Sequence, residues 1–260
     1  MRKEIENQTP SSVMEGMTSI RAILSATCKG ASRIEKILFD QDKIKKIGKE
    51  VGWLRHRGEE LGFSVIPSNA EEMEQYTTGN THGGVIAFVS PREIPMLSEA
   101  VEDIKPKGFY VMIEGIEDPY NFGYALRSLY AFGVDGIVLP MRNWMTAAGV
   151  VARASAGASE LLDLYMATPE TAVETFRQLG YTVVCAEENA PAALGEAPLP
   201  LPIFAVVGGE KRGMSQAVKA GAHLTVRIDY GRDFHASLSA ASAATVFGYE
   251  IARQNPKKYF

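Results

Sequence analysis

Three segments of this 260-residue chain combine residue types and spacings that could do chemistry. The first runs Asp118-Pro119-Tyr120-Asn121-Phe122-Gly123-Tyr124-Ala125-Leu126-Arg127. Asn121 reads as a helix N-cap, Gly123 permits close approach to the backbone, and Arg127 follows Gly123 by one helical turn. Such a corner offers an amide, backbone N–H groups and a guanidinium to an anion such as phosphate, although a capped helix with one surface arginine would look the same. The second is Ile203–Val207 running into Gly208-Gly209-Glu210-Lys211-Arg212-Gly213. A strand, a glycine-rich turn and a helix start suit a nucleotide-like ligand, because small residues expose backbone groups. They suit a tight turn without a ligand equally well. The third, Ile228-Asp229-Tyr230-Gly231 through Phe234-His235-Ala236-Ser237-Leu238-Ser239, opens the final helix with Ser237 as its candidate cap.

Other chemistries find no support. There is no P-loop and no dinucleotide G-x-G-x-x-G. Ser155 lacks the G-x-S-x-G elbow of a hydrolase, and the four histidines are scattered. Cys28 and Cys185 stand alone, without metal-ligand spacing, so neither a metal nor a disulfide framework is expected and a cytoplasmic setting is.

The elements that must position these segments alternate along the chain. In the first part, helical spacing over 16–26, 43–61 and 70–75 is interleaved with strand patterns at 34–39, 63–66 and 84–88. An acidic, proline-punctuated stretch over about 91–106 reads as a connection. Domains over 1–106 and 107–260 follow from it. In the second part, strands are expected at 109–114, 136–139, 162–167, 181–186, 203–207 and 224–228. Helices are expected at 122–132, 169–179, 215–220 and 237–253, with small-residue helical segments through Ala158. This is an α/β pattern with a mostly parallel sheet, where ligands sit beyond the carboxyl ends of strands. The loops after Glu114, Leu139, Val207 and Ile228 are therefore the informative ones.

Composition sets limits. With 46% hydrophobic residues there is ample material for a core, and a net charge of −4 disfavours a globally basic nucleic-acid binder. Charge is uneven, however: Arg21 to Arg57 holds ten Lys/Arg against four acids, including Arg21, Arg33, Lys45, Lys46, Arg55 and Arg57. No apolar run reaches the roughly 20 residues of a membrane span, so no membrane association is expected.

In order and spacing, the three segments resemble the motifs of the SpoU (TrmH-type) branch of the SPOUT superfamily, RNA 2′-O-ribose methyltransferases. Asn121-x-Gly123-x-x-x-Arg127 followed by Ala131-Phe132-Gly133-Val134-Asp135-Gly136 is similar to the first motif. Val207 to Ser215 is similar to the second and Ile228 to Ser239 to the third, with Ala154-Ser155-Ala156-Gly157-Ala158 as a connecting signature. More loosely, Glu15-Gly16-Met17 and His82-Gly83-Gly84-Val85-Ile86-Ala87 are similar to the family's small α/β/α ribosomal-protein-like domain, which binds substrate.

The resemblance implies a deep trefoil knot, a homodimer, and S-adenosylmethionine as cofactor, leaving S-adenosylhomocysteine as product. Gly208, Gly209, Ile228 and Leu238 would contact the cofactor, with Leu139 and Met141 closing over it. Arg127 would act on the ribose hydroxyl and its phosphate, positioned with Asn121, Glu210 and Ser237. A guanidinium is a poor base, so anchoring the phosphate is the safer role for Arg127. Ribosomal RNA is the expected substrate, transfer RNA the next. One position departs: Ser239 stands where the family usually has Asn. That leaves a non-catalytic RNA-binding protein of the same fold as the alternative. If the 21–57 segment neutralises RNA phosphates, reversing three of its lysines will flatten the salt dependence of RNA binding, measured as log K against log salt concentration. An unchanged slope would mark the segment as merely solvated.

Overall fold

A computed structural model describes residues 13–77, 82–141, 147–209 and 213–256. The chain forms two compact units, one from Met1–Glu93 with Asn143–Leu161, the other from Ile94–Arg142 with Leu162–Phe260.

The first unit holds a four-stranded sheet of β1 (Val13–Glu15), β4 (Val85–Val89), β2 (Ile34–Asp40) and β3 (Ser64–Ser68), in that order across the sheet. β4 runs antiparallel to β1 and β2, whereas β2 and β3 are parallel. The parallel pair needs a crossover, supplied by α2 (Ile44–Leu61), which buries Ile47, Val51, Leu54 and Gly58 and stops at Gly62 in the left-handed conformation. α1 (Gly16–Ser25) buries Ile20 and Ile23 on the same core. Two helices from later in the chain, α5 (Ala148–Ala154) and α6 (Ala158–Leu161), complete the unit. Their small residues are the reason: a Cβ on Gly157 would lie 2.5 Å from the Cβ of Ala22 in α1. Arg153 also ion-pairs with Glu15 at 2.8 Å. α3 (Ala70–Glu74) is capped by Asn69, whose side chain accepts from Glu72 N–H.

The second unit is a seven-stranded parallel sheet in the order β7-β6-β5-β10-β8-β11-β9. Its strands are β5 (Phe109–Ile113), β6 (Gly136–Leu139), β7 (Asp163–Met166), β8 (Thr182–Ala186), β9 (Ala192–Ala193), β10 (Ile203–Val207) and β11 (Leu224–Arg227). Every residue of β5, β6 and β10 is buried, as a parallel strand covered on both faces requires. α4 (Pro119–Ala131), α7 (Pro169–Gln178), α8 (Gln216–Gly221) and α9 (Ala240–Gln254) flank the sheet. Phe176 of α7 stacks on Phe204 with ring centroids 4.1 Å apart, amid Tyr110, Tyr181 and Val206. Cys185 lies in this core, its thiol pushed up to about 12 by burial.

Three sequence expectations are corrected here. The division falls at 93/94 and not at 106/107, and the 94–106 stretch is no free connection. Leu97, Ala100 and Ile104 enter the core of the second unit, and Met166 N–H donates to Pro95 O at 2.9 Å. α4 starts at Pro119, because Asp118 is its cap and accepts from Tyr120 and Asn121 N–H; Asn121 is a first-turn residue. α9 starts at Ala240, capped by Ser239 and not Ser237, the Ser239 hydroxyl accepting from Ser242 N–H at 3.1 Å.

Phe176→Ala, which empties the centre of the larger core, will lower stability by about 3–5 kcal/mol in urea denaturation. Phe176→Leu will cost markedly less.

Candidate active site

The carboxyl ends of β10, β8 and β11, three neighbours in the sheet, open on one cavity of about 510 Å³. That volume lies in the range of small-molecule sites. From the β10 end come Gly208 and Gly209. Their backbone is closed into a tight ring, Gly209 N–H donating to Gly213 O at 3.3 Å and Gly213 N–H to Gly209 O at 3.0 Å. Neither position tolerates a side chain. A Cβ on Gly209 would lie 2.6 Å from Glu114 O and 2.7 Å from Gly115 O, and one on Gly208 2.8 Å from the carbonyl carbon of Gly213. The neighbouring turn is fixed in return: Glu114 N–H donates to Val207 O, and its carboxylate accepts from Ser215 N–H at 3.0 Å.

From the β11 end come Ile228, Asp229 and Tyr230, and from the approach to α9 Ser237 and Leu238. The Tyr230 hydroxyl accepts from Leu238 N–H at 3.1 Å, which ties the two ends of that loop together. Ala240 and Ala243 of α9 supply a small-residue wall. The β8 end adds Glu187, Glu188 and Asn189. The cations at the rim are already paired, Lys219 with Glu187 and Arg227 with Asp229 at 2.8 Å; Arg227 also donates to Ala190 O and Pro191 O. Glu188 makes no ion pair among the described residues, so the lining favours a cationic ligand. Cys185, one residue inside β8, is held as a thiol by its burial and is no nucleophile at neutral pH. Among the described residues no group of His, Cys, Asp and Glu could hold a metal ion, and no helix is long and apolar enough to cross a membrane.

The structure thus brings Gly208, Gly209, Ile228, Ser237 and Leu238 around one cavity. It does not bring the others there. Leu139 is fully buried inside β6 with its carbonyl accepting from Ala167 N–H, and Met141 is 54% exposed; neither lines the cavity. Arg127 is exposed on α4 and its side chain makes no hydrogen bond or ion pair among the described residues, while Asn121 is half-buried at the start of that helix. Six positions separate them, about 240° around the axis, so the helix turns them to different faces. Glu210 lies outside the described residues.

The basic positions of the first unit are at its surface: Arg21, Arg33, Lys45, Lys46 and Arg55 are exposed, Arg57 half-buried. Several are engaged. The Arg21 guanidinium sits 5.7 Å from the centroid of the Trp53 ring, Arg55 lies over Phe39 at 5.5 Å, and Arg57 pairs with Glu60.

Sequence reasoning missed Glu187, Glu188 and Asn189. The signal was present, because β8 is a parallel strand beside β10 and its carboxyl end must open on the same side.

Comparison with known proteins agrees with this architecture. Residues 108–249 match the SpoU rRNA methylase family. A Staphylococcus saprophyticus protein assigned to the TrmH family of tRNA/rRNA methyltransferases is 31% identical over 227 residues, covering 85% of this chain and 88% of its own. The SpoU methyltransferase AviRb from Streptomyces viridochromogenes, solved in complex with AdoMet, superposes with a TM-score of 0.76 at 21% identity, over 94% of this chain and 89% of that one. A solved RNA 2′-O ribose methyltransferase gives 0.75 at 21%, over 94% and 88%. The chain belongs to the SpoU rRNA methylase family.

Gly209→Ala, forced against the backbone of Glu114 and Gly115, will destabilise the protein by about 1–3 kcal/mol in urea unfolding. Ser239→Ala will cost about 1 kcal/mol through the lost cap, and Ser239→Asn close to nothing.

Proposed function

We propose that this protein transfers a methyl group from S-adenosylmethionine to a ribose 2′-hydroxyl of RNA, with ribosomal RNA the first substrate class and transfer RNA the second. The observation that carries this reading is the cavity on which segments of the second and third family motifs converge, Gly208 and Gly209 with Ile228, Ser237 and Leu238. Its chemistry fits the cofactor. Exposed backbone and small or apolar side chains suit the adenosine, while Glu187, Glu188 and Asp229 suit ribose hydroxyls and a ligand carrying sulfonium and ammonium charges. When bound, S-adenosylmethionine would supply an electrophilic methyl group to an aligned 2′-oxygen and leave as S-adenosylhomocysteine, the hydroxyl proton passing to water.

The protein's own residues then do the positioning. Arg127, exposed and without an ion-pair partner among the described residues, is available to hold the phosphate beside the target ribose. Because α4 turns Asn121 and Arg127 to different faces, Asn121 acts with Glu210 on the sugar and not on the arginine, and Ser237 hydrogen-bonds in the same pocket. Ser239 does not argue against turnover. It caps α9, a task for which Ser and Asn are equivalent.

In this reading the carboxyl end of the chain is a deep trefoil knot. The insertion of β10 between β5 and β8, and the convergence of the loops after β10 and β11 on one cavity, support it. The protein is a homodimer in the cytoplasm. Exposed aromatic side chains on α4 (Tyr120, Tyr124, Tyr130) and the exposed Val246 and Tyr249 of α9 support self-association. The first unit is a substrate-binding domain, its basic α1 and α2 surfaces meeting RNA phosphate.

Arg127→Ala will reduce methyl transfer from labelled S-adenosylmethionine to RNA at least about 100-fold while leaving calorimetric cofactor affinity intact. Transfer at the unsubstituted rate would remove Arg127 from the mechanism, and no cofactor binding by the unsubstituted protein would remove the function itself.

A further inference from the structure

Beside the cavity just described lies a second concavity, of about 400 Å³, formed by the loop from Ile228 to Leu238. The two share Ile228, Asp229, Tyr230 and Leu238 as a common wall. Two large aromatic side chains stand exposed there, Tyr230 at 38% and Phe234 at 55%, with ring centroids 6.1 Å apart and planes inclined at 59°. Exposing that much aromatic surface on a polar loop forfeits the free energy of burying it, so the loop is arranged for something that covers the rings. Tyr230 is also held in place. Its hydroxyl is fixed by Leu238 N–H, so the ring is a set wall and Phe234 the open face. Around the rings the loop carries Arg232, exposed, and an exposed His235–Asp233 pair at 3.8 Å.

We infer that Tyr230 and Phe234 form a stacking platform for an unpaired nucleobase of the RNA substrate, the base of the target nucleotide or of its immediate neighbour. This rests on the function proposed above. A ribose whose 2′-hydroxyl is to meet the methyl group must be brought to the mouth of the first cavity, and its base must then go somewhere close by. A nucleobase in an RNA loop is a flat π-surface freed from its own stack, and aromatic side chains are what receive such bases. Phe234 offers no hydrogen-bonding group, so the platform holds a base without selecting its identity. Arg232 lies beside it to meet a flanking phosphate. Phe234 is thus a substrate-positioning residue with no part in holding the cofactor.

The test uses the full-length protein and RNA extracted from cells that lack it. Affinity is read by filter binding and cofactor affinity by calorimetry with S-adenosylhomocysteine. Phe234→Ala will weaken RNA binding about 5- to 100-fold and leave the S-adenosylhomocysteine affinity unchanged. Phe234→Trp will restore RNA binding to within about twofold. Tyr230→Phe, which keeps the ring and loses the hydroxyl, will weaken RNA far less than Tyr230→Ala. RNA affinity of Phe234→Ala equal to that of the unsubstituted protein overturns the platform. So does a parallel loss of cofactor affinity, which would make Phe234 a structural support of the loop. A changed sedimentation coefficient in Phe234→Ala overturns it too, since a second copy of the chain would then be what covers the ring. Methyl transfer by the unsubstituted protein is scored separately: if it occurs and Phe234→Ala binds RNA normally, the platform fails while the methyltransferase stands. If RNA binding falls in Phe234→Ala but the unsubstituted protein transfers no methyl group, the platform stands and the activity fails.

Discussion

β10 can lie between β5 and β8 only if the turn leaving it passes the turn leaving β5 without collision. The two turns touch backbone to backbone at Gly209 and at Glu114 and Gly115, with no room for a Cβ. Two hydrogen bonds hold that contact from either side, Glu114 N–H to Val207 O and Ser215 N–H to the Glu114 carboxylate. Everything at the site depends on this closeness. It sets the height at which Gly208 leaves the sheet, and hence where the loop toward α8 departs. It also leaves the carboxyl ends of β10, β8 and β11 as the floor of one cavity. The glycines here are demanded by space and not by turn geometry alone.

A protein with a net charge of −4 that handles a polyanion must solve a local problem. The two units place their charges differently. In the first, basic side chains on the outer surfaces of α1 and α2 lean partly on aromatic rings, Arg21 on Trp53 and Arg55 on Phe39, which holds their heads in position at small entropic cost. In the second, Lys219 and Arg227, the cations among the described residues that line the cavity, are neutralised by Glu187 and Asp229.

Much of the sheet was legible because burial on both faces leaves an unambiguous mark. Gly136–Leu139 and Ile203–Val207 are uninterrupted apolar runs, and their bounds agree with the structure to the residue. Helix starts were less legible, because capping residues cluster. Asp118 and Asn121 compete for one helix, and Ser237 and Ser239 for another; only the backbone path decides which side chain reaches the free N–H groups. The stretch after Pro91 looked like a linker from its prolines and acids, but Leu97, Ala100 and Ile104 recur at helical spacing and are drawn into the core. β1 and β9, three and two residues long, are too short to carry a period. The family motifs named the cavity's lining at Gly208 and Ile228, which follow strands, and at Leu238, which precedes α9. Leu139, the last residue of β6, and Met141 follow the same rule, yet β6 lies beyond β5 from the cavity.

The order of strands carries a consequence for how the chain is made. β5 finds one of its two partners early, in β6, but its other edge waits for β10, so that Phe109 comes to face Ile203 only after the more than ninety residues between them have been made. β8, made before β10, likewise stays open on that edge until β10 arrives. During synthesis the centre of the sheet is therefore a gap lined by two exposed apolar edges, and such gaps invite pairing with other nascent chains. A late-arriving central strand trades a fast, local assembly for a slow, non-local one. The smaller unit shares the delay, since α5 and α6 are translated after β5 and β6 and must return to a sheet completed some sixty residues earlier, at β4. Vectorial synthesis thus leaves both units unfinished at the same time.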